Sequence, residues 1–445
     1  MANKNGVWYA LFVLFLINTM NFFDRLIIGA VGEPIRLEFG LGDASLGLLA
    51  TAFTILYAFV GIPFGRLADT VSRKKILSAG VFAWSLLTAA SGFAQGYWQL
   101  FALRLGVGVG EASCAPTAAS LIGDLFPKES RGKALSIFML GLPVGIGLSF
   151  AISGSVAKAY GWRTAFLLAG IPGILLAIAA LFIREPVRGN GENNSKRKGS
   201  PYRLILASPT MRWLIVSGVL HNFSLLALSS FMTPYLMRHH GLDILKANLG
   251  SMLINGVFTL PGLLLSGVIG DSAKTRRPDG GLLIAGFGTL FAVPLFVLAI
   301  QAEQKSVYLF VFAMGGAFAA MYFYYANVYS TIQDVVEPGL RGTAMSVYFM
   351  AMYVLGGALG PYIVGLVSDY FTKQAASASG VFEITSAALE PFRASGLRSA
   401  MYIIPILSIV LTGVLYAASR TVEKDIVKLE ASHLPPERDA DNGLG

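Results

Sequence analysis

The sequence has few of the residues on which water-soluble enzymes depend. Only 13% of its 445 residues are charged, whereas an ordinary soluble domain has about 25%. Its single cysteine excludes an internal disulfide, and with four histidines it leaves too few ligands for the common zinc sites. No Walker sequence is present, so nothing indicates nucleotide hydrolysis. These absences argue against a soluble enzyme and against a machine powered by ATP.

Apolar runs make up most of the chain, in which 55% of the residues are hydrophobic. A helix of about 20 apolar residues crosses a bilayer. Windows of that length predict an all-α membrane protein with twelve spans, at 8–32, 44–68, 76–95, 98–122, 132–157, 163–184, 211–237, 247–270, 281–301, 307–332, 342–367 and 398–419. The first run has no small-residue cleavage site, so we expect a retained helix rather than a signal peptide.

The distribution of charge predicts the orientation and the partners. Most of the 34 lysines and arginines fall in loops on the side of the two termini, and basic loops stay in the cytoplasm. We therefore expect a multi-pass protein of the cytoplasmic (inner) membrane with both termini in the cytoplasm. The net charge of +9 then reflects topology, and no nucleic-acid partner is expected. A cavity formed within one chain favours a monomer.

A polar segment rich in Gly, Asn, Ser and Lys divides the chain. It predicts an N-terminal six-helix bundle at 1–185, a flexible cytoplasmic linker at 186–210 and a C-terminal six-helix bundle at 211–420. The charged segment 421–445 is too polar to bury anything, so we expect a disordered cytoplasmic tail.

The two halves repeat one another. The loops after spans 2 and 8 share a glycine and an aspartate at the same spacing, followed by basic residues: Gly65, Asp69, Arg73 and Lys74 in one half, and Gly267, Asp271 and Lys274 in the other. The loops after spans 4 and 10 each place an arginine seven residues after an aspartate: Asp124 and Arg131, and Asp334 and Arg341. Parallel duplication of six spans relates the two halves of major facilitator transporters.

Four charged residues lie well inside predicted spans, away from the span ends: Asp24 and Arg25 in span 1, and Arg104 and Glu111 in span 4. Each costs at least about 2.5 kcal/mol in a bilayer, so each is a candidate functional residue. Asp24, Arg25 and Arg104 can meet at one level if the helices are neighbours, with Glu111 two turns closer to the cytoplasm. A proton on Asp24 or Glu111 would free Arg25 or Arg104 to hold an anionic substrate. Alternatively, an Asp–Arg pair merely joins the two spans.

Two further sets of residues are candidates for the cavity and for a cytoplasmic gate. Uncharged polar residues of spans 7, 10 and 11 are predicted to line a cavity for an amphipathic molecule: His221, Asn222, Tyr322, Tyr325, Asn327 and Tyr353. Asp69 and Asp271 end their helices, where the macrodipole disfavours negative charge. We expect them to contact helix N-termini of the opposite half, near Arg341 and Arg131, and to close the cytoplasmic side. The alternative is a solvated charge cluster.

Several motifs resemble those of known transporters. The run Gly65-x-Leu67-Ala68-Asp69-x-x-x-Arg73-Lys74 resembles the loop 2–3 signature of the major facilitator superfamily, and Arg104 with Gly108 and Gly110 resembles its span 4 signature. The segments 21–25, 108–113 and 123–126 resemble the spinster family, whose members carry lysolipids or sphingoid phosphates. The resemblance implies a gating role for the signature loop and a transport role for Asp24, Arg25, Arg104 and Glu111.

Together these features predict a secondary active transporter that moves a lysolipid-like or sphingoid-like amphiphile by alternating access. Its coupling ion is expected to be the proton, with no cofactor or metal, and its partners are the substrate and the bilayer. Three alternatives stay open: a proton-coupled carrier of small organic anions such as sugar acids, a drug-efflux antiporter, and a receptor that binds without transport. A lipid-modifying membrane enzyme would need a catalytic cluster in its loops, and the sequence offers none.

Overall fold

The chain is helical because a backbone inside a bilayer has no water to bond and must satisfy its N–H and C=O groups internally. The computed structural model describes residues 4–185, 201–337, 340–383 and 385–433. Within these ranges every regular element is a helix, which confirms the predicted all-α fold.

The N-terminal half contains eight helices that form spans 1 to 6. They are α1 Lys4–Phe39, α2 Asp43–Thr70, α3 Arg73–Ser91, α4 Tyr97–Glu111, α5 Cys114–Leu125, α6 Lys128–Met139, α7 Gly141–Tyr160 and α8 Trp162–Leu181. Span 4 is α4 with α5, and span 5 is α6 with α7.

The C-terminal half repeats this plan with two π-turns inserted. Its elements are α9 Pro201–Ala207, α10 Pro209–His240, α11 Ile244–Met252, a π-turn Leu253–Val257, α12 Thr259–Arg276, α13 Gly280–Gln301, α14 Val307–Met321, α15 Phe323–Val335, α16 Arg341–Ala351, a π-turn Met352–Gly357, α17 Leu359–Ala378, α18 Ser386–Leu389, a 3₁₀ turn Glu390–Phe392, α19 Arg393–Met401 and α20 Ile403–His433. Span 7 is α10, and span 11 is α16, its π-turn and α17.

Ten segments of the described chain are helical, long enough and apolar enough to cross a membrane. The helices α2 and α3 occupy the two remaining predicted spans. All twelve predicted spans therefore fall on helix.

The structure supports the predicted duplication with two features shared by the halves. Span 4 breaks at Ala112, twelve residues before Asp124, and span 10 breaks at Tyr322, twelve residues before Asp334. Each aspartate pairs with a basic residue of the loop two spans earlier, Asp124 with Arg73 and Asp334 with Lys274. The same local structure thus recurs at matching places.

Glycines allow the helices to pack with their backbones nearly touching. A Cβ atom at Gly108 of α4 would lie 2.1 Å from the Phe53 carbonyl oxygen of α2, so this glycine allows the two helices to pack closely. Between the halves, α2 packs on α17, α7 on α11 and α1 on α10. A Cβ at Gly47 of α2 would lie 2.2 Å from the Pro361 oxygen of α17, so only glycine fits there.

Two predicted boundaries need correction. The predicted disordered tail from residue 421 is wrong as far as His433, because α20 continues to that residue. Val422 is fully buried, and the Asp425 carboxylate accepts bonds from the Ser208 hydroxyl and the Thr210 amide. The predicted linker 186–210 falls partly on α9, while residues 186–200 and 434–445 lie outside the described residues.

We predict that Gly108→Ala lowers thermal stability, because the added methyl group must push α4 away from α2. Overpacking of this kind costs about 1–3 kcal/mol. Gly413→Ala is the matched control, since nothing lies within 4 Å of a Cβ at that helical position. The measurement is the apparent Tm of the detergent-solubilised variants. Equal Tm values for both variants would contradict the packing described here.

Candidate functional site

A buried ion pair joins span 1 to span 4. Arg25 Nε lies 3.0 Å from Glu111 Oε2, and the two side chains are 7% and 0% exposed. Glu111 is the last residue of α4, directly before the break at Ala112. The helix α1 continues to Phe39, seven residues beyond the predicted end of span 1. Arg25 thus pairs with Glu111, the residue predicted to lie two turns closer to the cytoplasm.

Asp24 and Arg104 lie together but do not form the predicted carboxylate–guanidinium pair. Arg104 Nη2 donates instead to the Asp24 backbone carbonyl, at 2.7 Å. Asp24 Oδ1, Arg104 Nε and Arg104 Nη1 have no hydrogen-bond partner within the described part of the chain. The reason is helical geometry: consecutive residues point about 100° apart, so Asp24 and Arg25 cannot face one partner. The structure thus brings all four charges together with an arrangement the sequence did not reveal.

Aromatic rings from both halves surround the Arg25 guanidinium. Its Cζ lies 4.6 Å from the ring centre of Tyr57, 5.1 Å from Phe22, 5.4 Å from Phe53 and 5.8 Å from Tyr353. Tyr353 belongs to span 11, so the C-terminal half contacts the charge of the N-terminal half. Ring faces stabilise a cation without neutralising it, which leaves Arg25 able to bind an anion.

Arg25 opens onto a cavity between the halves. The cavity is about 80 Å³, and its lining includes Phe22, Arg25, Leu26, Phe53, Asn222, Leu225, Leu226, Ser229, Asn255, Phe318, Tyr322, Tyr325 and Tyr353. Arg25 is the one charged residue among the described lining residues. Because ligand pockets commonly measure about 300–1,000 Å³, this space must widen to accept a molecule of that size.

Four of the six predicted cavity residues line this space: Asn222, Tyr322, Tyr325 and Tyr353. His221 lies behind the wall, stacked on Tyr324 with ring centres 3.9 Å apart. Its two ring nitrogens have no hydrogen-bond partner among the described residues. Asn327 is also behind the wall, where it packs on Gly270 and donates to its own helix at Phe323. The side chains of His221 and Asn327 point away from the cavity because they lie on helix faces that pack within the C-terminal half.

The charges of the site have no counterparts in the second half. Asn21-Phe22 of span 1 matches Asn222-Phe223 of span 7, and this register aligns Asp24 and Arg25 with leucines. The repeated aspartates of spans 4 and 10 align Arg104 and Glu111 with methionines. The matching residues are Leu225, Leu226, Met314 and Met321. The one charged residue of the described lining, Arg25, therefore comes from the first half, while the second half contributes the apolar Leu225, Leu226 and Phe318 together with uncharged polar side chains and tyrosines.

A second charged cluster, the distal lock, joins the halves on the side away from the termini. It consists of Glu33, Asp43, Arg238 and Asp369. Arg238 Nη2 lies 2.6 Å from Glu33 and 2.9 Å from Asp43, across the boundary between the halves. The Asp369 carboxylate of α17 accepts bonds from the Asp43 and Ala44 amides at the start of α2, both at 2.9 Å. A carboxylate is favourable there because of the helix dipole.

The lock is held in its charged form. Burial alone would raise the pKa of Asp43, but the Arg238 guanidinium and the Ser368 hydroxyl outweigh burial and hold that pKa below its usual value. A carboxyl whose pKa falls on folding stabilises the contact above its unfolded pKa, about 3.9, and loses this effect as the pH falls further. The lock is therefore closed at neutral pH.

The distal lock is not among the predicted sites, although the sequence contains a signal for it. Gly40-Leu41 and Gly241-Leu242 follow spans 1 and 7, and an aspartate comes soon after each. Both glycines have left-handed backbones, with φ of 63° and 66°, and each ends its helix. Asp43 enters the lock, and Asp243 reaches Lys158 of the other half at 3.4 Å. This repeated loop marks the contacts between the halves on the distal side.

The predicted cytoplasmic gate makes contacts within each half. Arg73 pairs with Asp124 and Glu185, and the Arg341 guanidinium donates to the Gln333 carbonyl at 2.8 Å. Asp271 is exposed and Lys74 is half-buried. The side chains of Asp69 and Arg131 and the surroundings of Gly65 lie outside the described residues, so the expected cross-half contacts stay predictions. The principal contacts of α5, α6, α12 and α15 are all with helices of their own half.

Comparison with known proteins places this architecture in a family. The model of the Major Facilitator Superfamily matches residues 14–361. An MFS-type efflux pump of Mycolicibacterium smegmatis is 29% identical, over 83% of this chain and 87% of that protein. Protein spinster homolog 1 of Mus musculus is 33% identical, over 80% of this chain and 72% of that protein.

Similarity to solved structures supports the same family. The crystal structure of a bacterial homologue of the human lysosomal transporter spinster, inward-facing and unoccupied, matches with a TM-score of 0.85 and 30% identity, over 95% of this chain and 99% of that one. The nucleoside transporter NupG shares the fold at 12% identity, with a TM-score of 0.72. This chain belongs to the major facilitator superfamily of membrane transporters, and within it to the spinster family.

We predict that Arg238→Gln opens the distal side, because it removes the cation that joins Glu33 and Asp43 to the other half and leaves Glu33 paired with Arg36 of its own helix. Removing one partner of a buried ion pair lowers stability by about 3–5 kcal/mol. Spin labels at the exposed positions Leu37 of α1 and Tyr370 of α17, in a Cys114→Ser background, report the distance between the halves. A longer distance should appear in Arg238→Gln.

The control is Arg163→Gln, which removes an arginine that pairs with Glu38 inside the N-terminal half. Its distance distribution should equal that of the parent. An unchanged distribution in Arg238→Gln would show that the lock does not hold the halves together.

Proposed function

We propose that this protein transports an anionic lysolipid-like or sphingoid-like amphiphile across the cytoplasmic membrane, coupled to protons, by alternating access. Both termini lie in the cytoplasm, and the protein acts as a monomer without cofactor or metal. One observation carries the proposal: Arg25 is the charged residue of the described cavity lining, it is paired with a titratable group, Glu111, and the other half adds the apolar side chains of Leu225, Leu226 and Phe318 to the same lining.

The residues that line the cavity favour an amphiphilic substrate over a uniformly polar one. An anionic head group binds Arg25, within the charged half. The hydrocarbon chain then lies against Leu225, Leu226 and Phe318 of the opposite half. Each buried CH₂ group contributes about 0.8 kcal/mol to binding, so a chain of many carbons supplies most of the affinity.

Coupling follows from competition for one cation. An unpaired guanidinium in this buried position is costly, so Arg25 requires an anion. When Glu111 is ionised, it occupies Arg25; when a proton neutralises Glu111, the substrate head group takes its place. Proton binding and substrate binding therefore favour each other. Asp24, which forms no ion pair with a described residue, is the second group able to take the proton.

Alternating access follows from the distribution of contacts between the halves. The distal lock closes one side, while the helices of the other side contact their own half. With the termini in the cytoplasm, the lock is extracellular and this conformation is inward-facing, as in the bacterial spinster homologue to which the chain is similar. Opening the lock and bringing the cytoplasmic ends together would expose the cavity to the outside.

A carrier of small organic anions is the second candidate. Such a carrier would also bind its substrate through Arg25, but it would leave Leu225 and Leu226 of the cavity lining without a function. A drug-efflux activity is the third, suggested by the efflux pump of Mycolicibacterium smegmatis.

We predict that proteoliposomes take up a labelled anionic lysophospholipid when a pH gradient is imposed, and that Glu111→Gln abolishes this dependence on the gradient. Glutamine cannot take or release a proton, so substrate binding and pH become independent. The control is Glu303→Gln, an exposed carboxylate away from the cavity, which should transport like the parent.

Two results would contradict the proposal. Uptake of a sugar acid in place of the lysophospholipid would identify a carrier of small anions. Gradient-driven lysophospholipid uptake that survives in Glu111→Gln would remove Glu111 from the coupling mechanism.

A further inference from the structure

The π-turn of span 11 lies where the two halves meet around Arg25. It covers Met352–Gly357, and the Ala358 amide donates to the Tyr353 carbonyl at 2.8 Å, one residue beyond the usual helical spacing. Such turns are rare, and they interrupt the regular ladder of an α-helix. The π-turn of span 11 includes Tyr353, whose side chain lines the cavity.

An outside donor bonds to this turn. Asn222 of span 7 donates from Nδ2 to the Met352 carbonyl at 3.1 Å, and its side chain is buried. Met352 is the first residue of the π-turn and immediately precedes Tyr353. The asparagine therefore bonds at the point where span 11 leaves α-helical geometry.

Packing leaves the asparagine little freedom. A Cβ atom at Gly357, the last residue of the turn, would lie 2.7 Å from Asn222 Nδ2 and 2.9 Å from Leu226 Cδ1. A Cβ at Gly356 would lie 2.4 Å from the Val219 carbonyl oxygen. Span 7 and the π-turn thus pack backbone against backbone, with the Asn222 amide between them.

The turn holds Tyr353 against the substrate-binding cation. The Tyr353 ring centre lies 5.8 Å from the Arg25 guanidinium and 6.3 Å from the ring of Tyr57, which is on span 2. Among the four aromatic residues around Arg25, Tyr353 is the one that belongs to the C-terminal half. Its position depends on the path of span 11, and that path depends on the π-turn.

We infer that Asn222 is a positioning residue for head-group recognition: by bonding to the Met352 carbonyl it fixes the π-turn that holds Tyr353 beside Arg25. This inference rests on the proposed binding of an anionic head group by Arg25. An asparagine at the matching place in span 1, Asn21, lies beside Glu111. The repeat therefore places one asparagine, Asn21, beside the titratable carboxyl of Glu111, and the matching asparagine, Asn222, beside the π-turn that carries Tyr353.

The first test needs no substrate. Tyr353 is replaced by 3-fluorotyrosine, and its ¹⁹F resonance is recorded in the parent, in Asn222→Leu and in Gly357→Ala, with Arg25→Leu to show how the signal responds when the cation is lost. Leucine has the size of asparagine without its donor, and the alanine methyl group displaces the amide. The resonance should move in both variants. The matched control is Ser224→Ala, since the Ser224 hydroxyl donates to the Leu220 carbonyl of its own helix.

The second test measures selectivity. Selectivity is the Kd for a zwitterionic lysophospholipid divided by the Kd for an anionic one of the same chain length. This ratio should fall about tenfold in Asn222→Leu and in Tyr353→Leu, and no further in the double variant, because both changes remove the same contact.

The outcomes separate this inference from the proposed function. A fluorine resonance that responds to Arg25→Leu but not to Asn222→Leu or Gly357→Ala overturns the inference. Equal loss of affinity for both lipids in Asn222→Leu also overturns it while leaving the proposed function intact. If the parent binds neither lipid, the proposed function is wrong, and the fluorine resonances alone then decide whether Asn222 positions Tyr353.

Discussion

The buried pair of Arg25 and Glu111 is the constraint on which the rest of the site depends. A guanidinium without an anion is strongly unfavourable in a dry protein interior. Arg25 cannot lose its charge, because an arginine stays protonated in proteins. Any step that takes Glu111 away must therefore supply another anion. The aromatic rings around Arg25 make its position tolerable but do not neutralise it.

The duplicated fold gives this pair its asymmetric surroundings. Both halves have the same spans, the same break in the fourth span of each and the same loop ion pair. The charges of the site, however, occur in one half, while the matching positions of the other are Leu225, Leu226, Met314 and Met321. A single cavity thereby combines a place for charge with a place for hydrocarbon. The distal lock then decides from which side that cavity is reached.

The sequence was sufficient for the fold and for the four charges of the site, because both depend on patterns that are local. Apolar windows identified the spans, and the cost of intramembrane charge singled out Asp24, Arg25, Arg104 and Glu111. The partners of these residues could not be predicted, since the pairing of Arg25 with Glu111 depends on how α1 and α4 pack against one another, which is a contact between distant parts of the sequence. The two π-turns have no sequence pattern of their own. The extension of α20 was missed because its polar residues bond to span 7, which is distant in the sequence.

The most direct test of the coupling is to count protons when substrate binds. Calorimetric titration of the purified protein with an anionic lysophospholipid near neutral pH, in two buffers of different ionisation enthalpy, gives the number of protons exchanged per lipid bound. The exchange of Glu111 for the head group at Arg25 requires about one proton to be taken up per lipid by the parent and none by Glu111→Gln. Binding without proton uptake in the parent, or with equal uptake in both proteins, would contradict this account.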